Sequence, residues 1–244
     1  MKAYGIIGYP LTHSFSKKYF TEKFLREGIT DCVYEIYSIS SIHEIKDIIA
    51  QTPQLRGLNI TIPYKQSVFQ LLNSTENIPD GLNACNCIRF IDGKMVGYNT
   101  DITGFERSLL PLLQHYHTKA LILGDGGAAK AVKFVLKKLN IAYKVVSRKI
   151  NSSALAYKDL DEELLKEHLL IINTTPLGTF PNTNECPDLS YQFLTSRHFL
   201  FDLVYNPAET LFLKKGAAQG AVVKNGYEML EIQAEESWRI WNGD

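Results

Sequence analysis

The chain has 244 residues, enough for one large domain or two ordinary ones. Its 26 basic and 26 acidic side chains balance, so no electrostatic footprint for nucleic acid or an anionic membrane is present. No apolar run approaches membrane-spanning length, and the stretch before Pro10 is too short for a signal h-region. Cys32, Cys85, Cys87 and Cys186 form no C-x-x-C pair, which predicts free thiols in a reducing cytoplasm. His115 and His117 read as solvated side chains rather than metal ligands, and no metal site is expected.

Tyr4 to Gly8 reads as a first strand, broken at Gly8-Tyr9-Pro10 and followed by a polar loop holding Ser14 and Ser16. A helix follows with Phe20 and Phe24 on one face and Gly28 as its stop. Cys32 to Tyr37 is a second strand, Ile42 to Ala50 a second helix and Leu58 to Ile62 a third strand. This β-α-β-α-β alternation predicts a mostly parallel sheet. Ser14 and Ser16 then stand where a strand end opens into a ligand crevice, though both also suit helix capping.

Asn59 and Thr61 alternate with Ile60 and Ile62, placing two polar groups on one face of the third strand. Buried polar groups need partners. Pro63 suits the first turn of a following helix, and Lys65 lies near its start, where a cation opposes the helix dipole. Lys65 is therefore either a tuned acid–base group or a solvated lysine.

Asp92-Gly93 between two alternating runs predicts a hairpin, with Asn86 before it. Asn99-Thr100-Asp101 precedes a helix expected from Gly104 to Leu113, and Asp101 can serve as its cap or as a functional carboxylate.

Leu121 to Leu123 is a buried strand running into Gly124-Asp125-Gly126-Gly127-Ala128-Ala129, and a helix is expected from Ala131 to Leu139. Gly124, Gly126 and Ala129 fit the G-x-G-x-x-G/A dinucleotide pattern, in which a tight turn brings a pyrophosphate to a helix N-terminus. The pattern alone is also met by ordinary strand–helix turns. Tyr143 to Ser147 is the next strand, ending in Ser147-Arg148-Lys149. An acidic residue there would take the ribose 2′-OH of NAD; two cations favour the 2′-phosphate of NADP, or form a solvated basic turn. Leu169 to Asn173, Phe199 to Leu203 and Ala221 to Lys224 are further strands. A closing helix from Glu228 to Trp241 carries Leu230, Ala234, Trp238 and Trp241 on one face.

Read together, these segments resemble the shikimate dehydrogenase family. The matching stretches are Gly8-Tyr9-Pro10 through Ser14-x-Ser16, Asn59-Ile60-Thr61-Ile62-Pro63-x-Lys65, Gly97-Tyr98-Asn99-Thr100-Asp101-x-x-Gly104 and the glycine loop. Asn173-Thr174-Thr175-Pro176-Leu177-Gly178, Asp202-Leu203-Val204-Tyr205-x-Pro207 and Asn225-Gly226-Tyr227-Glu228-Met229-Leu230-x-x-Gln233 complete them.

The resemblance implies an α/β fold: an N-terminal, mostly parallel substrate domain and a C-terminal Rossmann-type NADP-binding domain, with a cleft between them. The expected limits are 1–101 and 102–226, with the closing helix 227–244 returning to the first domain. The implied reaction is NADPH-dependent reduction of 3-dehydroshikimate to shikimate, on the way to aromatic amino acids. A quinate-preferring enzyme or a silent shikimate- or NADP-binding module are the alternatives, in a chain expected to be a monomer or homodimer. Lys65 and Asp101 are implied as the catalytic pair, with Ser14, Ser16, Thr61, Asn86, Tyr205 and Gln233 as substrate contacts. Gly124, Asp125, Gly126, Gly127, Ala128, Ser147, Arg148, Lys149, Leu203 and Gly226 are the implied cofactor residues. The chain departs from the family pattern at Lys17, usually proline, at Cys87, usually threonine, and at Asp125, usually small and apolar. The last puts a carboxylate near the expected pyrophosphate.

Overall fold

The computed structural model describes residues 1–11, 14–148 and 154–243. They form two compact units, one of Met1–Thr103 with Leu230–Asp244 and one of Gly104–Met229. No helix among the described residues is long and apolar enough to cross a membrane.

The first unit is built on β1 (Lys2–Gly8), α1 (Phe15–Arg26), β2 (Cys32–Ser38), α2 (Ile45–Gln51), β3 (Leu55–Ile60), β4 (Ser74–Asn77), β5 (Cys87–Ile91) and β6 (Lys94–Tyr98). Its sheet has the order β2-β1-β3-β5-β6-β4. The β1–β2, β1–β3 and β4–β6 pairs are parallel, whereas β5 runs antiparallel to β3 and β6. The β5–β6 hairpin closes through Asp92 and Gly93 at φ 48° and 74°, the left-handed pair that such a turn demands.

α3 (Thr100–Leu109) leads into the second unit, and α7 (Tyr227–Asn242) returns to the first. Tyr4, Phe20, Phe24 and Tyr34 make up an aromatic core with Trp241 of α7. Trp241 stacks on Tyr4 at 4.9 Å and donates its indole N–H to the Ile88 carbonyl at 3.0 Å.

Between them the second unit has β7 (Lys119–Leu123), α4 (Gly127–Lys138), β8 (Ala142–Val146), β9 (Ala154–Leu155), α5 (Glu162–Glu167), β10 (Leu170–Asn173), β11 (Phe199–Asp202), α6 (Leu211–Ala217) and β12 (Val222–Lys224). Its sheet is parallel throughout, in the order β12-β11-β10-β7-β8-β9. That is the doubly wound dinucleotide-binding order, whose switch point lies between β7 and β10.

Four sequence expectations are corrected. The assigned third strand ends at Ile60; the Thr61 N–H still reaches the Ile7 carbonyl and the Ile62 carbonyl still accepts the Tyr9 N–H, and the pairing stops at Pro63, which has no N–H to give. No α-helix begins at Pro63; a short 3-10 helix over Ser67–Leu71 follows instead, so Lys65 does not face a helix dipole. The helix expected from Gly104 begins at Thr100, capped by the Asn99 side chain, which accepts the Ile102 N–H at 3.3 Å. Asp101 therefore sits inside the first helical turn, where a carboxylate suits the dipole, rather than at the cap. The helix expected from Ala131 starts at Gly127, so the last glycine of the loop is already helical.

Candidate active site

In the first unit the polar residues gather where β1 and β3 end. These strands are neighbours, and the Thr61 N–H donates to the Ile7 carbonyl at 2.9 Å beyond the last residue of β3. Ser14 caps α1, its hydroxyl oxygen accepting the Lys17 N–H at 3.3 Å. Accepting there leaves the Ser14 proton available to an outside acceptor. Ser16 lies on the first turn of the same helix.

Lys65 and Asp101 form the centre. The ammonium nitrogen lies 3.0 Å from one carboxylate oxygen and 2.7 Å from the other. Their side chains are 19% and 7% exposed, so the pair is shielded from water while one side stays open. Local structure fixes both partners: the Lys65 carbonyl accepts the Cys85 N–H at 2.8 Å, and Asp101 is held by α3.

Asn86 is buried, and Thr100 engages both ends of its carboxamide: Oδ1 accepts the Thr100 N–H at 2.7 Å and Nδ2 donates to the hydroxyl at 3.0 Å. Asn86 thus steadies the start of the helix that carries Asp101. Gln233 lies on α7, and its carbonyl accepts the Ser237 hydroxyl at 2.8 Å. Ser237 in turn accepts from Asn59 Nδ2 at 2.9 Å, and Asn59 Oδ1 takes the Tyr34 hydroxyl at 2.7 Å. Tyr34, Asn59 and Ser237 are one side-chain network, which ends on the Gln233 backbone carbonyl. Its members are absent from the sequence reading, apart from Asn59 as a polar strand residue, because nothing in the chain pairs residues 34, 59 and 237.

Tyr205 belongs to the second unit, just after β11, and is 38% exposed. In that unit a cavity of about 350 Å³ opens at the carboxyl ends of β7 and β10, lined by Gly124, Asp125, Gly126, Ser147, Arg148, Tyr157 and residues 174–177. Gly124 has φ 103°, and a Cβ there would lie 2.9 Å from the Thr174 hydroxyl, so the turn admits only glycine. A Cβ on Gly126 or Gly127 would meet nothing within 4 Å, leaving an open cradle. Gly126 caps α4 without a side chain, so the first N–H groups of α4, from Gly127 and Ala128 on, look for an anion. A dinucleotide pyrophosphate fits that cradle.

Asp125 pairs with Lys133, nearly two turns into α4, so its carboxylate is compensated locally. Arg148 is exposed at the cavity wall beside Tyr157, which the sequence offered no signal to find. Lys149 lies outside the described residues. Leu203 and Gly226 do not line this cavity; they pack on each other, a Cβ at Gly226 falling 2.3 Å from the Leu203 carbonyl oxygen. Among the described residues no cluster of three or more His, Cys, Asp or Glu side chains is placed to hold a metal ion. His117 is buried, with its ring nitrogens bound to the Gln114 N–H and the Arg197 carbonyl.

Residues 6–88 match the family model of the shikimate dehydrogenase substrate binding domain. The shikimate dehydrogenase (NADP(+)) of Methanococcus maripaludis is 33% identical over 259 residues, an alignment covering 99% of this chain and 92% of that protein. A crystal structure of a shikimate dehydrogenase in complex with NADP+ superposes with a TM-score of 0.86 at 30% identity, covering 100% of this chain and 91% of that one. The Thermus thermophilus shikimate 5-dehydrogenase, in complex with NADP(H) and shikimate, matches with a TM-score of 0.86 at 26% identity, covering 100% and 94%. By its fold, its ordered motifs and its full-length relatives, this chain belongs to the shikimate dehydrogenase family.

Proposed function

We propose that this protein catalyses the NADPH-dependent reduction of 3-dehydroshikimate to shikimate, and the reverse oxidation. The observation that carries the reading is the shielded Lys65–Asp101 pair, set among hydroxyl and amide side chains in a chain related over its full length to NADP-dependent shikimate dehydrogenases.

When bound, NADPH supplies the hydride to the carbonyl carbon. Lys65 Nζ stabilises the negative charge that grows on the carbonyl oxygen and gives it a proton. Asp101 accepts from the same ammonium and holds it in place, so the proton leaves from a fixed point. In the oxidation, Lys65 takes the proton back from the hydroxyl. Ser14 donates its free proton to the substrate carboxylate, and Ser16 joins it. Thr61, Asn86, Tyr205 and Gln233 serve the ring hydroxyls, where each polar contact costs an analogue lacking the group. For Asn86 this role falls to the amide proton that takes no part in the pairing with Thr100.

The glycine loop and the start of α4 would hold the pyrophosphate of NADP(H), with Arg148, Lys149 and Ser147 at the 2′-phosphate. Leu203 and Gly226, which pack beside the carboxyl end of β11, would bound the nicotinamide end. Residues 1–101 with 227–244 take the substrate and residues 102–226 the cofactor, a division supported by the family match over residues 6–88. The four cysteines are free, which supports a cytoplasmic setting.

Purified protein given shikimate and NADP⁺ should form reduced nicotinamide, with quinate and NAD⁺ far slower under the same conditions. Faster turnover of quinate would make it the quinate-preferring relative. No turnover of either, with ligands still bound, would make it a silent binding module.

A further inference from the structure

Asp202 is fully buried, and the reaction proposed above makes no use of it. It is the last residue of β11, paired in register with Asn173, the last residue of β10, at the carboxyl edge of the sheet. Three donors from three segments converge on its carboxylate. Asn173 Nδ2 approaches to 2.9 Å, the Val204 N–H to 3.0 Å and the Thr210 hydroxyl, which also caps α6, to 2.5 Å.

The other end of the Asn173 carboxamide carries the connection onward. Its Oδ1 accepts the Thr175 N–H at 3.0 Å and the Thr175 hydroxyl at 2.6 Å. Beside it the Thr174 hydroxyl donates to the Leu123 carbonyl at 2.8 Å, where β7 runs into the glycine loop. Hydrogen bonds thus join the ends of β7, β10 and β11, and Thr174, Thr175 and Gly124 all line the cavity.

This carboxylate is held at a cost. Burial pushes its pKa up to about 6 even with three donors in place. An asparagine of the same shape would keep the Val204 and Asn173 bonds through Oδ1, and the Thr210 hydroxyl can turn to accept from Nδ2. It would do so without a buried charge. What only the ionised group provides is three charge-assisted bonds at once, shorter and stronger than neutral ones.

We propose that Asp202 is a positioning residue for the dinucleotide site: through Asn173 and Val204 its carboxylate fixes the loops after β10 and β11 in the shape that receives the cofactor. The inference rests on reading the second unit as the NADP(H) site. It makes loop placement, rather than fold stability, the purpose of the buried charge.

Asp202→Asn separates the two. At pH 8 the urea midpoint of this variant should equal or exceed that of the wild type. Its Kd for NADP⁺, measured by titration calorimetry without substrate, should rise roughly three- to tenfold, with the KM for NADP⁺ following and kcat held within about twofold. An unchanged Kd in the variant beside a wild type that binds NADP⁺ overturns the positioning role and leaves the cofactor reading standing. A lower urea midpoint, whatever the Kd, makes the carboxylate a structural group and also overturns it. A wild type that binds no NADP⁺ overturns both readings together.

Discussion

The Lys65 ammonium spans both oxygens of the Asp101 carboxylate, at 3.0 and 2.7 Å, across 36 positions of sequence. Two groups so placed act as one unit. Lys65→Ala should lower kcat by about 10²- to 10⁴-fold, with a much smaller rise in KM, because the charge on the carbonyl oxygen is largest in the transition state. Asp101→Asn keeps the shape, loses the charge and should also lose turnover. Steady-state kinetics of the double variant should show little more damage than the worse single one. Multiplicative losses would assign Asp101 a separate role, and near-normal kcat in Lys65→Ala would sink the assignment.

Arg148 is expected to mark the 2′-phosphate. A charge-assisted bond is worth about 1.5–3 kcal/mol, and for an exposed side chain the lower end applies, roughly tenfold in affinity. Arg148→Ala should raise the KM for NADP⁺ by about that factor and leave the KM for NAD⁺ nearly unchanged. Equal losses with both cofactors would show that the arginine only supports the cavity wall.

Asp125 and Lys133 are both partly exposed and form an ion pair at the rim of the glycine loop. Removing the carboxylate leaves an uncompensated cation near the phosphates, so Asp125→Ala should tighten NADP⁺ binding a few-fold at low salt. Lys133→Ala should weaken it, and the double variant should return close to the wild type. Added salt should shrink all three differences, since the Debye length falls to about 8 Å near physiological ionic strength. Calorimetric Kd values unmoved at every salt concentration would mean that the pair lies outside the phosphate field.

Gly57 of β3 has Trp241 of α7 directly above it: a Cβ there would sit 2.2 Å from the indole nitrogen. Gly57→Ala must push the tryptophan off its hydrogen bond to the Ile88 carbonyl. Overpacking of this kind costs about 1–3 kcal/mol, read as a lower urea midpoint of the first unit. A midpoint unchanged by the substitution would mean that the helix shifts without loss.

His117, His168 and His198 are buried, and burial lowers the pKa of each imidazole. His198 is held neutral by accepting the Thr195 N–H at 2.9 Å while its other nitrogen meets the Leu165 carbonyl at 3.0 Å. Since the folded state resists protonation, the stability from these rings is complete above the ordinary histidine value of 6.5 and is lost as pH falls below it. Asp202 works the other way: its raised pKa means that the folded state gains stability as pH falls through about 6 towards the ordinary value of 3.8. The histidine effect is therefore cleanest in Asp202→Asn, whose urea midpoint should drop between about pH 7.5 and 5.5. A flat midpoint over that window would mean that these rings protonate without disturbing the fold.

Local pattern was enough for much of this molecule. Period-two and helical runs bounded by glycine and proline located most of the strands and the aromatic face of α1, because backbone preference and side-chain burial act over a few residues at a time. The glycine loop announced itself for the same reason: Gly124, Gly126 and Gly127 are neighbours in the chain and in space. Short elements such as β4, α5 and α6 escaped notice, since a turn or two of structure leaves little periodicity. So did the true start of α3, where the decisive bond runs from the Asn99 side chain to the Ile102 N–H.

Long-range pairing was left to the tertiary structure. Nothing in the order of residues says that Lys65 faces Asp101 rather than solvent, that Lys133 neutralises Asp125, or that Tyr34 reaches Ser237 through Asn59. Asn86, read as a substrate contact, has its carboxamide engaged with Thr100, and the buried charge of Asp202 passed unnoticed inside a motif. Each of these depends on side chains that the folding of strands, helices and loops around one another brings within about 3 Å, and on the loss of water around them. Residue types along the chain determine which chemistry is possible; only the fold decides which groups meet, and how little solvent is left between them.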